Sequence, residues 1–217
     1  MKTVLITGIS RGIGRALAEK FLENGDVVIG TSRTGSVDFV HENLTVIGLE
    51  LTAPASIEAC AKSVQTLGKK IDIFINNAGV WDEGDDTEEV NIPALRRTLE
   101  VNLIAPIAFT EQILQLVNRR GHIVNISSRR GSLANLNDTK YPSYSISKTA
   151  LNMFTRLLAV RLEGRITVSS VHPGSVKTDM NPDGKISAQE SADDIFKLAN
   201  SDVETGQFWF KGEKMAW

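Results

Sequence analysis

Short apolar runs rich in β-branched residues alternate with helical patterns along almost the whole chain. The runs cover residues 2–6, 27–31, 44–49, 71–75, 122–127, 167–171 and 207–210. Near-continuous apolar runs of this length are typical of parallel strands that are buried on both faces. Neighbouring parallel strands need a crossover connection, which is usually a helix. The alternation therefore predicts one doubly wound α/β domain over residues 1–217, with helices on both faces of the sheet.

Five helical segments connect these predicted strands. They cover residues 12–23, 57–67, 92–117 and 144–163, and a last one follows Ser187 and runs to Leu198. Ser187 and Glu190 have the spacing of a capping box. Pro93 suits the first turn of the third segment, whereas Pro106 predicts a kink within it.

Composition excludes several classes of function. Lys and Arg number 24 against 26 Asp and Glu, so no basic excess indicates nucleic acid or an anionic membrane surface as a partner. Cys60 is the one cysteine, which excludes an internal disulfide, and the three histidines lie far apart, so no metal site is expected. The first apolar run is too short for a signal peptide or a membrane span, and we expect a cytoplasmic protein.

A glycine-rich turn joins the first strand to the first helix over residues 7–14, which read TGISRGIG. Gly8 permits a tight turn, Gly12 leaves room for a phosphate against the backbone, and Gly14 permits close packing of helix on sheet. The helix N-terminus then offers free N–H groups to a pyrophosphate. We interpret the turn as a dinucleotide site, with a plain structural turn as the alternative. The candidate ligands are Gly8, Ser10, Arg11, Gly12, Ile13 and Gly14.

The residues after the second strand predict the type of dinucleotide. An acidic residue there would bind the ribose 2′-hydroxyl of NAD, whereas a basic residue suits the 2′-phosphate of NADP. This chain has Arg33 at that place and no acidic residue before Asp38. Arg11 could add a second cation, and the alternative is that both arginines are simply solvated. The pattern favours NADP(H) over NAD(H).

Tyr144 and Lys148 are spaced to share one helix face. A nearby lysine cation lowers the pKa of a tyrosine, which could then exchange a proton with a carbonyl or alcohol oxygen. Ser128 follows the fifth predicted strand and could hydrogen-bond the same oxygen. Asn102 lies inside a predicted helix that it does not favour, so it either has a function or bonds a local carbonyl. An ordinary surface pair is the alternative for Tyr144 and Lys148.

Together these motifs resemble those of the short-chain dehydrogenases/reductases, in the family's order and over nearly the whole chain. The matching residues are the turn at 7–14, Asn76-Asn77-Ala78-Gly79, Asn102, Ser128, Tyr144 with Lys148, and residues 173–178, which read PGSVKT. The short segment after Thr178 resembles the C-factor-like and sniffer-like carbonyl reductases of that family. The family often has Asp where Glu50 stands, which leaves the contact of Glu50 with adenine open.

The resemblance implies a Rossmann sheet of about seven strands, ordered 3-2-1-4-5-6-7, that binds NAD(P). It implies Tyr144 as the acid/base, Lys148 as its partner on the nicotinamide ribose, Ser128 as the group that positions the carbonyl, and Asn102 as the holder of a relay water. Further cofactor contacts are implied for Leu51, Asn77, Ala78, Gly79, Pro173, Gly174, Val176 and Thr178. The implied reaction is hydride transfer between nicotinamide and a carbonyl or secondary alcohol.

Several residues keep two interpretations. Trp81, Leu133, Tyr141 and Met180 are candidate apolar walls for a substrate, whereas Trp209 and Cys60 are expected in the core. We expect Arg129 and Arg130 to be solvated and His172 to have a packing role.

The family resemblance also implies a homodimer or homotetramer, formed through the helices at 92–117 and 144–163. A second functional hypothesis from the C-factor-like outline is a sensor or signalling protein that binds dinucleotide and acts through a partner.

Overall fold

The structure is a computed structural model that describes residues 1–217, apart from the side chain of Glu83. Its centre is one eight-stranded sheet with the order β3-β2-β1-β4-β5-β6-β7-β8. The strands are β1 Thr3–Ile6, β2 Val27–Ser32, β3 Leu44–Gly48, β4 Ile71–Asn76, β5 Val117–Ile126, β6 Thr167–Val171, β7 Gln207–Phe210 and β8 Glu213–Lys214. The predicted order of the first seven strands is confirmed, and these seven pair in parallel.

The eighth strand was not predicted, and it pairs antiparallel to β7. Its two residues are too few to show a strand pattern in the sequence. A tight turn at Lys211 and Gly212, with φ of 50° and 79°, reverses the chain between β7 and β8. This turn produces the hairpin that closes the C-terminal edge of the sheet.

Helices cover both faces of the sheet. They are α1 Gly12–Glu23, α2 Pro54–Thr66, α3 Ile92–Leu99, α4 Ala105–Ile113, α5 Pro142–Arg161 and α6 Ala188–Ala199. One core lies between the sheet and α2, α4 and α5, and a second lies between the sheet and α1 and α6. Phe74 and Phe109 are fully buried in the first core, and Leu17 and Ile195 in the second. Burial on both faces explains why the strand segments are almost continuously apolar.

The prediction of one helix over residues 92–117 is wrong. The segment divides into α3, a π-helical turn at Glu100–Ile104, α4, and a 3-10 turn at Leu114–Leu116. Pro106 explains the interruption, because it cannot donate the helical hydrogen bond to the carbonyl of Asn102, four residues earlier. The expected kink is therefore a widened turn centred on Asn102. Strand β5 also begins earlier than predicted, at Val117, which pairs with Ile71.

Within the described residues, no helix has the length and apolar content needed to cross a lipid bilayer.

Candidate functional site

A cleft with a volume of about 680 Å³ lies at the carboxyl ends of the strands. Most of the predicted cofactor residues line it: Gly8, Ser10, Arg11, Gly12, Ile13, Gly14, Arg33, Leu51, Asn77, Ala78, Gly79, Tyr144, Lys148, Pro173 and Thr178. Gly174 and Val176 do not, because Val176 is buried in a bridge with Ile186 and Gly174 lies beyond Pro173 on another cavity. The cleft volume lies within the usual range for small-molecule and cofactor sites.

The glycine-rich turn forms the floor of this cleft. Gly8 has a φ of +74°, which L side chains rarely adopt. A Cβ on Gly14 would stand 2.1 Å from the carbonyl oxygen of Gly8, so a side chain there would force helix and turn apart. Asn77 Nδ2 donates to the carbonyl oxygens of Thr7 and Gly8 at 2.8 and 3.0 Å. The Asn77 side chain therefore holds the turn, a role beyond the cofactor contact that the family resemblance implies.

The residues of the turn fit the pyrophosphate of a dinucleotide. Helix α1 begins after Arg11, whose side chain makes no capping hydrogen bond, and its first turn contains no acidic residue. Its first N–H groups are therefore left for an anion, which the helix dipole also favours. Gly12 presents no Cβ toward the cleft, and a Cβ there would come within 3.3 Å of the Thr178 side chain.

At the end of β2, the charges favour a phosphate. Arg33 is exposed and lines the cleft, and within the described side chains it has no ion-pair partner. Asp38 is occupied, because it accepts from Arg15 Nη1 at 2.8 Å. Glu50 accepts from the N–H and hydroxyl of Thr52 at 3.1 and 2.9 Å, and these bonds lower the pKa of its carboxyl. Glu50 thus bonds within its own loop, and the nearby charge of Arg33 also lowers its pKa.

The second predicted cation is already paired. Arg11 Nη1 lies 2.7 Å from Asp179 Oδ2, and both side chains are about 70% exposed. The pair joins the glycine-rich turn to the loop after β6, across the cleft. Sequence reasoning missed Asp179, although its place directly after Thr178 indicates the cleft. Arg11 is consequently less available to a phosphate than Arg33.

Tyr144 and Lys148 lie on the first two turns of α5. Lys148 Nζ donates to the carbonyl oxygen of Ile126 at 2.8 Å and lies 5.6 Å from the centre of the Tyr144 ring. Burial lowers the pKa of Lys148 to about 8. Burial raises the pKa of Tyr144, while a side-chain hydrogen bond with Ser128 and the charge of Arg130 oppose that rise. We expected Lys148 to lower the pKa of Tyr144, but the groups that lower it are Ser128 and Arg130.

Ser128 and Asn102 are not among the residues that line the cleft. Ser128 caps a short turn and accepts from the Arg130 N–H at 3.2 Å. Asn102 is 1% exposed, accepts from the Val80 N–H at 2.8 Å and donates to the Val80 carbonyl at 2.9 Å. The Asn102 amide therefore fixes the loop after β4. It does not bond a carbonyl of its own helix, and it is not a free group that faces the cleft. A Cβ on Gly79 would stand 3.2 Å from Asn102 Oδ1 and 3.6 Å from Lys148 Nζ, so these two groups meet at Gly79.

Sequence reasoning missed Asp85, a fully buried carboxylate at the start of α5. It accepts from the main-chain N–H groups of Ser143 and Tyr144 at 2.8 and 2.9 Å. The residue before the helix, Tyr141, makes no side-chain capping bond, so a distant segment supplies the cap. No local pattern around Asp85 indicates this contact. Trp81 lies beside the same turn, with ring centres 4.1 Å from Tyr141 and 6.0 Å from Tyr144.

The prediction that Arg130 is solvated is wrong. Its side chain is 20% exposed and pairs with Asp138 at 2.9 Å. It also donates to the carbonyl oxygen of Lys140 at 2.8 Å and lies 4.5 Å from the centre of the Tyr141 ring. These contacts between residues 129 and 141 form inside the connecting loop and had no periodic signal in the sequence. Arg129, by contrast, is exposed as expected.

The packing predictions for Trp209, Cys60 and His172 are confirmed. Trp209 and Cys60 are 7% and 1% exposed, and burial raises the pKa of the Cys60 thiol to about 12. His172 stacks on Phe210 with ring centres 4.7 Å apart. Of the candidate apolar walls, Met180 lines the cleft, whereas Leu133 is 72% exposed.

Comparison with known proteins gives consistent matches. The family model described as short chain dehydrogenase matches residues 2–188. The 3-oxoacyl-(acyl-carrier-protein) reductase FabG of Vibrio cholerae is 32% identical over 192 residues, 82% of this chain and 75% of its own length. The 1-hydroxy-2-glutathionyl-2-methyl-3-butene dehydrogenase of Rhodococcus sp. is 31% identical, over 84% of this chain and 81% of its own length.

Two solved structures match along the whole chain. A short-chain dehydrogenase/reductase from Burkholderia multivorans with bound NADP has a TM-score of 0.91 at 28% identity, covering 100% of this chain and 99% of its own. The carbonyl reductase Sniffer of D. melanogaster has a TM-score of 0.89 at 25% identity and covers 100% of both chains.

Proposed function

Because this chain belongs to the short-chain dehydrogenase/reductase family, we propose that it is an NADP(H)-dependent oxidoreductase of the carbonyl reductase type. In this reaction a carbonyl or secondary alcohol exchanges a hydride with the cofactor and a proton with the protein. The observation that carries the proposal is that Tyr144 and Lys148 line one dinucleotide-sized cleft, with Ser128 beside Tyr144. A protein that only binds a dinucleotide has no need of that group.

The roles of the side chains follow from their surroundings. Tyr144 is the general acid, and its raised pKa keeps the phenol protonated at neutral pH, as reduction of a carbonyl requires. Ser128 lies beside Tyr144 and donates its hydroxyl to the same substrate oxygen as negative charge develops on it. When bound, the nicotinamide ring supplies the hydride. Lys148, with its ammonium fixed on the Ile126 carbonyl, orients the nicotinamide ribose and returns a proton toward Tyr144.

Asn102 supports this group as a positioning residue. Its amide fixes Val80, and Pro106 leaves the Asn102 carbonyl without a normal helical donor. That carbonyl is the proposed acceptor for the water that connects Lys148 to solvent.

NADP(H) is the proposed cofactor in preference to NAD(H). Three observations support this: Arg33 is exposed on the cleft, Asp38 is occupied by Arg15, and Glu50 bonds within its own loop. Among the described side chains, the first carboxylate after β2 is that of Asp38, which is already paired with Arg15, so none there is left to bind a ribose 2′-hydroxyl. The relative from Burkholderia multivorans also carries NADP in its solved structure.

The substrate class is a carbonyl compound in the manner of the C-factor-like and sniffer-like branch. Support comes from the full-length likeness to the carbonyl reductase Sniffer and from the short segment between Thr178 and α6. The two relatives described above are named for different substrates, a 3-oxoacyl-(acyl-carrier-protein) and 1-hydroxy-2-glutathionyl-2-methyl-3-butene. Their shared chemistry is hydride transfer at a carbonyl or alcohol carbon, and this is what we carry over.

A homodimer or homotetramer is proposed from an exposed apolar stripe on α5. Ile146, Met153, Leu157 and Val160 recur at helical spacing and are 42–68% exposed. Leu157→Glu places a charge in the stripe, so light scattering should show a smaller particle than wild type, and an unchanged mass would refute this interface.

The single-domain organisation over residues 1–217 and the cytoplasmic location stay predictions.

Tyr144→Phe tests the function. The variant removes one hydroxyl, so we expect it to bind NADPH as wild type does and to lose roughly 100- to 10,000-fold in turnover. NADPH oxidation with a panel of aldehydes, ketones and quinones measures turnover, and fluorescence titration measures binding. Tyr141→Phe is the matched control, because Tyr141 has no lysine four residues on. Full activity of Tyr144→Phe contradicts the assignment, and tight NADPH binding by wild type without turnover of any compound favours the sensor hypothesis.

A further inference from the structure

A second cavity, of about 530 Å³, lies beside the cofactor cleft. The loop after β5, the loop after β6 and the hairpin formed by β7 and β8 enclose it. Its lining includes the cations Arg129, Lys185 and Lys211 and the apolar side chains Ile186, Phe210 and Met215. None of these residues has a role in the reaction proposed above, so the cavity needs an explanation of its own.

The second cavity adjoins the reacting centre at two places. Along the loop after β5, Ser127 lines the cofactor cleft and Arg129 lines the second cavity, so Ser128 stands between them. Along the loop after β6, Pro173 lines the cleft and the next residue, Gly174, lines the second cavity. The two cavities therefore lie on either side of Ser128 and of the Pro173–Gly174 bond, next to the proposed reacting centre.

The charges around this cavity are mostly positive, although the whole chain has a net charge of −2. Arg129, Lys185 and Lys211 have no ion-pair partner within the described side chains. Lys214 pairs with Glu204, and Glu213 is the one carboxylate on the described lining. Glu190 also feels the charge of Lys211, but its carboxylate is occupied by the capping box with Ser187. The cavity therefore attracts anions.

The walls between these cations are apolar. Ile186, Phe210 and Met215 line the cavity, and the His172 ring stacks on Phe210. Burial and the charge of Arg129 lower the pKa of His172 to about 4, so its ring is neutral at pH 7 and adds no charge. Apolar walls below a cationic rim suit a molecule with an apolar body and an anionic end.

The site suits a carboxylate better than a phosphate. The nearest helix N-terminus is that of α6, and Ser187 and Glu190 already cap it. Ser187 Oγ accepts from the Glu190 N–H, and the Glu190 carboxylate lies in the first turn, which disfavours a phosphate dianion there. Separate cationic side chains remain, and these can each contact a monovalent carboxylate.

We infer that the second cavity binds the carboxylate end of the substrate, and that this protein reduces carbonyl compounds that carry a carboxylate on an apolar body. The inference rests on the proposed function, because it places the reacting carbonyl at Tyr144 and Ser128. Lys185, Lys211 and Arg129 are the residues that select the carboxylate.

Matched substrate pairs test the inference. The short pair is para-formylbenzoate and its methyl ester, and the long pair is an ω-oxo fatty acid of ten carbons and its methyl ester. We expect wild type to have a kcat/KM for the acid at least about tenfold above that for the ester in one of the pairs, mainly through KM. In Lys185→Gln/Lys211→Gln, this ratio should fall at least about fivefold, and Arg129→Gln should lower it in the same direction.

The control is Lys62→Gln/Lys69→Gln, which removes the same charge from exposed positions near α2 and should leave the acid-to-ester ratio unchanged. The inference is overturned if, in both pairs, the kcat/KM for the acid does not exceed that for the ester. It is also overturned if Lys185→Gln/Lys211→Gln keeps the same acid-to-ester ratio as the control variant. If the esters are turned over, the proposed function stands even when the inference is overturned. If no compound is turned over, the proposed function fails, and calorimetry with para-(hydroxymethyl)benzoate and its methyl ester decides the inference. Equal affinity of wild type for these two compounds overturns it, and acid binding lost in Lys185→Gln/Lys211→Gln supports it.

Discussion

Asp85 Oδ2 accepts a hydrogen bond of 2.9 Å from the main-chain N–H of Tyr144, so a carboxylate 59 residues earlier in the chain holds the proposed general acid. Its other oxygen accepts from the Ser143 N–H at 2.8 Å. The carboxylate is fully buried and lies at the positive end of the α5 dipole. It therefore satisfies N–H groups that the helix start would otherwise bury without partners.

Asp85→Asn should weaken this contact, because an amide has one acceptor oxygen for two N–H groups. We expect a loss of about 1–2 kcal/mol in the free energy of unfolding, in line with lost helix caps. We also expect a lower kcat and a shifted pH profile, with an unchanged KM for NADPH, because the Tyr144 ring moves while the dinucleotide turn stays. Denaturant titration and steady-state kinetics measure these effects.

Asp86→Asn is the matched control for that substitution. Asp86 is the exposed neighbour, and Lys140 lies 3.8 Å away, so little should change. An Asp85→Asn enzyme that is less stable but has the kcat and pH profile of wild type would show that Asp85 stabilises the fold without positioning Tyr144.

Arg33→Ala should separate the two dinucleotides. Loss of a charge-assisted contact of about 1.5–3 kcal/mol corresponds to roughly a 10- to 150-fold weaker Kd for NADPH, with little change for NADH. Fluorescence titration with both cofactors measures this. Arg119→Ala, at an exposed arginine of β5, is the control and should affect neither. Equal weakening of NADPH and NADH binding would refute the role of Arg33.

Gly14→Ala should lose dinucleotide binding even though alanine favours a helix by about 1 kcal/mol over glycine. The new Cβ would lie 2.1 Å from the Gly8 carbonyl oxygen and 2.4 Å from Asn77 Nδ2, so the turn must shift. We expect destabilisation of about 1–3 kcal/mol, as for other overpacked sites. Gly48→Ala is the control, because the nearest atoms to its Cβ are 3.7 Å away. Normal NADPH binding by Gly14→Ala would contradict the close approach of turn and helix.

His122 should make stability depend on pH. Burial lowers its pKa from 6.5 to about 4, and His122 Nε2 lies 2.9 Å from Ser169 Oγ. The unfolded chain binds a proton that the folded protein does not, so the stabilising contribution is present above pH 6.5 and is lost as the pH falls toward 4. The full loss for this one group is about 3 kcal/mol.

Urea unfolding at pH 7 and pH 5 measures that dependence. His122→Gln removes the titrating group, so its stability should fall less between these two values than that of wild type. His172 titrates in the same direction and remains in both proteins, which leaves a smaller common slope. Identical slopes for the two proteins would contradict the assignment to His122.

The sequence alone determined those features that depend on residues close together in the chain. The buried strand runs, the turn at residues 7–14 and the spacing of Tyr144 and Lys148 are local patterns, and local periodicity and turn chemistry are enough to predict them. The family resemblance then supplied the strand order, which the structure confirms.

Tertiary structure decided the contacts between distant segments. The Arg11–Asp179 pair joins residues 168 apart, Asp85 caps a helix far along the chain, and Lys148 donates to the end of β5. Local pattern also gave two wrong predictions: one helix over residues 92–117, which is interrupted at Asn102, and a solvated Arg130, which is paired within its loop. A pattern of neighbours specifies which element forms, but partners for buried polar groups depend on which loops packing brings together. The electrostatics of Tyr144 and the cationic second cavity are consequences of that packing, which no local pattern contains.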